Sequence, residues 1–259
     1  MTAAGPETLR LSRFAAASIH LATSLTVAAV GALLIFRLWY PTPYDTIAGG
    51  KSLFILMISV DVVLGPALTF VIASPGKRLS EFRRDLFVIV ALQLAALGFG
   101  VHSIALARPV FLSYEIDRFR VVAAADVDLA QLKEAPPELQ ALPWLGPRQI
   151  AAVRPADPAE QLRSIDLGLA GFDLSMFPRN WRTYPSQSEA AWRRARPCAV
   201  LLARYPSQKQ EAERIVSATG RPLADIRFLP VLSRQASWVA LMASPDARIV
   251  GYLPVDGFF

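Results

Sequence analysis

One cysteine, Cys198, and two histidines, His20 and His102, are all that 259 residues offer in thiol and imidazole. A single thiol closes no internal disulfide, so the folded parts stand on packing alone. Both histidines fall within the apolar first 107 residues. The remainder therefore lacks the base that Ser-His-Asp or Cys-His catalysis needs, and the ligands of a His/Cys zinc site. No phosphate-cradling glycine loop and no dinucleotide fingerprint is present. Carboxylates such as Asp117 and Asp126 occur, but nothing singles out a pair for hydrolysis, so the expectation is a non-enzyme without a cofactor or metal. Charge is thin as well. From residue 108 onward 19 Lys plus Arg face 16 Asp plus Glu, a surplus too small to argue for nucleic acid. The cluster Arg193, Arg194 and Arg196 reads most simply as a solvated helix face.

What the sequence does have is apolar length. A mean hydropathy of +0.36 exceeds that of an ordinary soluble domain, and nearly all the excess lies in three runs at 14–38, 52–73 and 86–107. Each run is long enough to cross a hydrocarbon core of roughly 30 Å as a helix. Arg10 and Arg13 precede the first run as they would a signal peptide, but the run is long and ends in FRLWYPTPY instead of a small-residue cleavage site. An uncleaved first helix is expected.

Orientation follows from the basic residues. The segment PGKRLSEFRRD carries Lys77, Arg78, Arg83 and Arg84, whereas the link WYPTPYDTIAGGK offers only Lys51. Short Lys/Arg-rich loops stay in the cytoplasm. That places residues 1–13 inside, the first link outside, and everything from 108 to 259 outside. Trp39, Tyr40 and Tyr44 are then expected at the outer membrane–water interface.

Within the second run, ISVDVVLGPALTF sets a carboxylate amid apolar residues. Entering near Ser52, a helix reaches Asp61 after roughly 14 Å, near the bilayer centre. An ionised carboxylate facing lipid there costs at least about 2.5 kcal/mol, so Asp61 is expected to face other helices. His20 and Gln93 lie at about 9 to 10 Å from the opposite face, within about a turn of that depth; His102 is nearer the outer face and matches less well. Pro66 lacks an N–H, which should free the carbonyl of Val62 one turn back. Gly65 lets a neighbouring backbone approach. Asp61, Gly65, Pro66, Gln93 and His20 are thus the candidate partner-contact residues, with helix packing as the plainer alternative and an ion or proton site as the other functional reading, weakened for a proton relay because no second acidic residue lies inside any span. Ser24, Ala28 and Ala32 on the first run, and Ala96 and Gly100 on the third, form small-residue faces suited to helix association.

The part from 108 to 259 is long enough for one domain. In PVFLSYEIDRFRVV, Leu112, Tyr114 and Ile116 alternate with Ser113, Glu115 and Asp117, the pattern of a strand with one buried face. DVDLAQLKEAPPELQAL predicts a capped helix broken by Pro136 and Pro137, and RQIAAVRP a short strand. DPAEQLRSIDLGLAG predicts a helix with Asp157 as cap and Pro158 at its first position. Helical segments follow around Pro197 and Pro206, and Trp238–Met242 and Ile249–Leu253 flank a Ser-Pro-Asp-Ala turn as a β-hairpin. The expected architecture is a three-helix transmembrane N-terminal unit followed by an extracytoplasmic α+β domain with a mostly antiparallel sheet.

WYPTPY after the first run, VDVVLGP in the second, the loop PGKRLSEFRRDL, LQLAALGFG in the third and ARPVFLSYEIDRFRVV beyond it together resemble the TfpX/TfpZ type IV pilin accessory protein family. The likeness spans roughly residues 10 to 125, and the closing WVALMASPDARIVGYLPVD is similar in style to that family's C-terminal hairpin. The resemblance implies a multi-pass protein of the bacterial inner membrane with a periplasmic C-terminal domain. It would assist assembly or surface display of a cognate type IV pilin without joining the pilus. Type IV pilin, the lipid bilayer and the pilus assembly machinery are the implied partners. No catalytic residues are carried over. The competing reading is a membrane-tethered periplasmic sensor signalling through a cytoplasmic partner docked on Lys77 to Arg84. A small transporter would need more intramembrane polar groups than are present.

Overall fold

The computed structural model describes residues 11–259, which divide into two compact units. Arg10 and most of the N-terminal segment expected in the cytoplasm lie outside the described residues. One unit takes the described residues up to Arg37 together with Gly50–Leu106; the other takes Leu38–Gly49 and Ala107–Phe259.

The first unit is built on three long apolar helices: α1 (Arg13–Trp39), α2 (Gly50–Ile72) and α3 (Leu79–Ala107). At 27, 23 and 29 residues they measure about 40, 35 and 44 Å at roughly 1.5 Å per residue. Each exceeds the roughly 30 Å of a bilayer core. Ser12 starts α1, its hydroxyl accepting from the Ala15 N–H at 3.1 Å. α3 begins seven residues before the apolar run does, because LSEFRRD propagates a helix perfectly well without being apolar. Phe82 in that added stretch packs with Ala16 and Ala73, and Lys77 before it pairs with Asp85 at 2.6 Å. α1 lies along the second half of α2, while the outward sides remain apolar, with Phe14, Leu56, Phe87 and Phe99 exposed.

The second unit is organised by one mixed sheet: β1 (Pro109–Glu115), β2 (Arg118–Ala123), β3 (Arg148–Ala152), β4 (Trp181–Thr183), β5 (Arg196–Pro197), β6 (Ile226–Leu232), β7 (Trp238–Ala243) and β8 (Arg248–Leu253). Its order is β4-β3-β1-β2-β6-β7-β8, with β5 paired to β6. Five pairings are antiparallel, and β1–β3 and β2–β6 are parallel. The expected closing hairpin is present as β7–β8. Helix α4 (Pro158–Leu169) starts as the sequence predicts, with the Asp157 carboxylate accepting from the Glu160 N–H at 3.0 Å. The helices α5 (Ser188–Arg194), α6 (Cys198–Arg204) and α7 (Lys209–Ser217) follow. The helix expected over DVDLAQLKEAPPELQAL is instead two short 3₁₀ turns, Leu129–Glu134 and Pro137–Leu139. The proline pair stops the first before an α-helix can propagate.

Alternation in β1 predicts one buried face, yet all seven residues are buried, Ser113 and Glu115 included. β1 lies between β2 and β3 and is covered on both sides. One face carries Leu112, Tyr114, Phe119, Leu229 and Met242 against Tyr184 and Ala191. The other carries Phe111, Val122 and Ile150 against Leu139 and Trp181, and Phe228, Val239 and Leu241 against α6 and α7. Ile116 leaves the strand altogether: with φ +55° it turns the chain into β2 and is exposed.

The link after α1 also departs from expectation. Tyr40 and Tyr44, expected at a membrane–water interface, are both buried in protein. Tyr40 is fully buried, and Tyr44 joins Ile47 in the sheet core, where its hydroxyl meets that of Tyr252 at 2.7 Å. WYPTPYDTIAG therefore belongs to the domain, a segment that the boundary at 108 leaves out. Full burial of one such side chain stabilises by about 1.5–3 kcal/mol, enough to decide where the link goes.

Candidate functional site

Asp61 stands eleven residues from each end of α2, counting from Gly50 and from Ile72. The helix is not a regular α-helix there: Val60–Leu64 forms a π turn. A π turn directs each carbonyl to the N–H five residues on. For Asp61 that is Pro66, which has none. The vacancy thus falls on the Asp61 carbonyl, one residue earlier than the regular helix predicted for Val62. Gln93 of α3 fills it, its Nε2 donating to the Asp61 carbonyl at 3.2 Å and to Asp61 Oδ1 at 3.5 Å.

The same amide continues the chain. Gln93 Oε1 lies 2.9 Å from His20 Nε2, and His20 Nδ1 lies 2.6 Å from Thr69 Oγ1. One set of proton positions satisfies every member. The Thr69 hydroxyl donates to Nδ1, a neutral imidazole donates from Nε2 to the glutamine oxygen, and the glutamine amide donates to Asp61. Four side chains from three helices are thereby joined in one directed line.

Gly65 makes the line sterically feasible. A Cβ on it would lie 2.8 Å from His20 Nε2 and would overlap Gln93 Nε2. What approaches here is a pair of side chains, not the neighbouring backbone that the sequence suggests. Pro66 acts through the hydrogen bond it omits. Thr69 was missed from sequence, although it follows Gly65 by one helical turn and Asp61 by two, and so shares their face.

Beside this line opens a cavity of about 320 Å³ among α1, α2 and α3. His20, Asp61 and Gln93 line it at its polar part, and Val27, Leu34, Met57, Leu94 and Leu97 supply apolar wall. Gly65 and Pro66 do not line it. A second cavity of about 240 Å³ shares His20, Thr23 and Val90 with the first. Ser24, Ala28 and Gly31 of α1 face the larger cavity, while on α3 Gly100 is filled by the Met57 side chain. His102 is exposed and takes no part.

In the sheet domain, the buried polar groups serve the fold. Glu115 accepts from the Ser175 N–H at 2.5 Å, and the Trp181 indole donates to the Ser175 carbonyl at 2.7 Å. Burial pushes the Glu115 carboxyl above its usual value, more than the Ser175 hydrogen bonds pull it down. Burial likewise pushes the Cys198 thiol up to about 11, which keeps it protonated and unreactive at neutral pH. Among the described residues no group of three His, Cys, Asp or Glu side chains is placed to hold a metal ion.

Comparison with known proteins adds the biological setting. A family model described as fimbrial assembly protein FimB matches residues 10–49, the stretch that comprises α1 and the buried link. The serogroup I fimbrial assembly protein of Dichelobacter nodosus is 36% identical over 243 residues, covering 93% of this chain and 94% of that protein. The serogroup E1 protein of the same organism is 32% identical over 242 residues, with 93% and 94% covered. The protein of serogroups C1 and C2 is 45% identical over 117 residues, which is 45% of this chain and 89% of that protein. No solved structure is a significant match.

Proposed function

The chain belongs to the fimbrial assembly protein family, and from that premise we propose that it is a non-enzymatic inner-membrane accessory protein that assists assembly and surface display of a cognate type IV pilin. α1, α2 and α3 span the bilayer, with the basic Lys77 to Arg84 loop in the cytoplasm and the sheet domain in the periplasm. The exposed apolar sides of the helices support the spanning reading, because such surface is unfavourable in water and neutral in lipid.

The observation that carries the mechanism is the Thr69–His20–Gln93–Asp61 line beside an apolar cavity. In a closed three-helix bundle the small residues of α1 would seat a neighbouring helix; here Ser24, Ala28 and Gly31 face open space. An apolar helix of a membrane-embedded pilin subunit would gain packing against that face and a hydrogen-bonding partner at mid-depth, the two forces that associate helices in lipid. The protein then acts by holding or guiding the pilin helix, without being consumed into the fibre.

The test is genetic and quantitative. The gene is deleted in its native host, wild type or Asp61→Ala is restored, and sheared surface pili are compared with total cellular pilin. Surface pili should fall at unchanged total pilin, and wild type alone should restore them. Normal piliation of the deletion strain, in a host that is piliated under the conditions used, would refute the accessory role. Full restoration by Asp61→Ala would reduce the polar line to a packing device.

A further inference from the structure

The loop 142–146, with the sequence Leu-Pro-Trp-Leu-Gly, presents two adjacent large apolar side chains, Trp144 and Leu145, each 63% exposed. Single exposed apolar residues are ordinary on a protein surface. The place where this pair is held is not ordinary. The Gly146 N–H donates to the Leu38 carbonyl at 2.7 Å. The Trp39 and Trp144 rings meet edge to face, 5.7 Å between centroids at 89°. The Arg108 guanidinium lies over the Trp144 ring at 5.2 Å. Leu38 and Trp39 are the last two residues of the first apolar helix, and Arg108 is the residue after the third. The loop is therefore tied by a backbone hydrogen bond to the exit of one span and by a cation–π contact to the exit of another.

We propose that loop 142–146 is an interfacial membrane anchor that inserts Trp144 and Leu145 into the headgroup region of the bilayer. The inference rests on the reading of α1 and α3 as spans. An element fixed to two span exits is held at the level where hydrocarbon gives way to headgroups. An indole has an apolar body and one N–H, the combination enriched at that depth, and a neighbouring guanidinium suits lipid phosphate. With Tyr40 and Tyr44 withdrawn into the domain core, Trp144 takes the interfacial place that the sequence assigns to them. Gly146 serves the geometry: its φ of +51° is one that few residues other than glycine adopt, and an added Cβ would meet Pro41 at 3.4 Å. A lipid surface is favoured over a protein partner because the loop's contacts are with Leu38, Trp39 and Arg108, the residues through which the chain leaves the first span and the third.

The test uses the full chain in liposomes, with Cys198→Ala so that a single introduced cysteine carries an environment-sensitive fluorophore. Leu145→Cys is compared with Phe87→Cys, which is 72% exposed on α3. Quenching is read with lipids brominated near the headgroup, with lipids brominated deep in the chains, and with aqueous iodide. The Leu145 label should lose intensity to the shallow bromolipid and be protected from iodide, while the Phe87 label is quenched by bromolipid. Quenching of the Leu145 label by iodide alone, or shielding from every quencher as a protein–protein contact would give, overturns the anchor while leaving the spans intact. Absence of lipid quenching at Phe87 overturns the spanning reading and the anchor with it.

Discussion

Gly65→Ala is the most informative single change, because two effects of opposite sign meet in it. Replacing a helical glycine by alanine ordinarily stabilises by up to about 1 kcal/mol. At position 65 the new Cβ would lie 2.8 Å from His20 Nε2 and overlap Gln93 Nε2, so both side chains must move. Moving them breaks His20–Gln93 and Gln93–Asp61. Interhelical hydrogen bonds of this kind are each worth about 0.6–1.7 kcal/mol, so the loss is about 1–3 kcal/mol. Gly98 on α3 is the matched control, since nothing lies within 4 Å of where its Cβ would be. The propensity gain cancels between the two variants, and Gly65→Ala should be less stable than Gly98→Ala by about 1–3 kcal/mol. SDS-titrated unfolding of the full chain in mixed micelles, followed by far-ultraviolet circular dichroism, reads that difference. The same Gly65→Ala change made on a Gln93→Ala background should cost less than it does alone, because the amide and its two hydrogen bonds are already gone and only the contact with His20 remains. Equal stability of Gly65→Ala and Gly98→Ala would refute the steric argument and the hydrogen-bonded line built on it.

Two further outcomes concern the sheet domain. Burial holds the Glu115 carboxyl above the ordinary glutamate value of 4.5, so the folded state binds its proton more tightly than the unfolded chain does. This contribution to stability is greatest below that value and is lost as pH rises through the raised one. Glu115→Gln keeps an oxygen for the Ser175 N–H and should flatten the pH dependence of thermal unfolding above 4.5; an unchanged profile would show that Glu115 does not titrate differently on folding. Cys198 is 1% exposed with its thiol pushed up to about 11. Maleimide labelling at pH 7 should therefore be negligible in the folded protein and complete in denaturant, and rapid labelling of the native chain would contradict its burial at the start of α6.

Elements whose signals are local can be read directly along the chain. Apolar length fixed three helices, and Asp157 followed by Pro158 fixed the start of α4. Turn residues between two β-rich runs fixed the β7–β8 hairpin, and an ionisable residue alone in a span marked Asp61 as exceptional. Those signals depend on hydropathy and on side-chain chemistry within a few residues, so one chain read in order suffices. The folded structure settles whatever depends on neighbours distant in sequence. It drew Tyr44 into the sheet core, where the hydroxyl of Tyr252, 208 residues away, meets its own, and it buried Tyr40 fully. It buried Ser113 and Glu115 because β1 is an interior strand covered on both faces. It moved the unpaired carbonyl from Val62 to Asp61 through a one-residue π insertion, and it recruited Thr69 through the ring of His20. Register within a helix and partnership across a bundle change no local pattern. They are set when side chains compete for the same space.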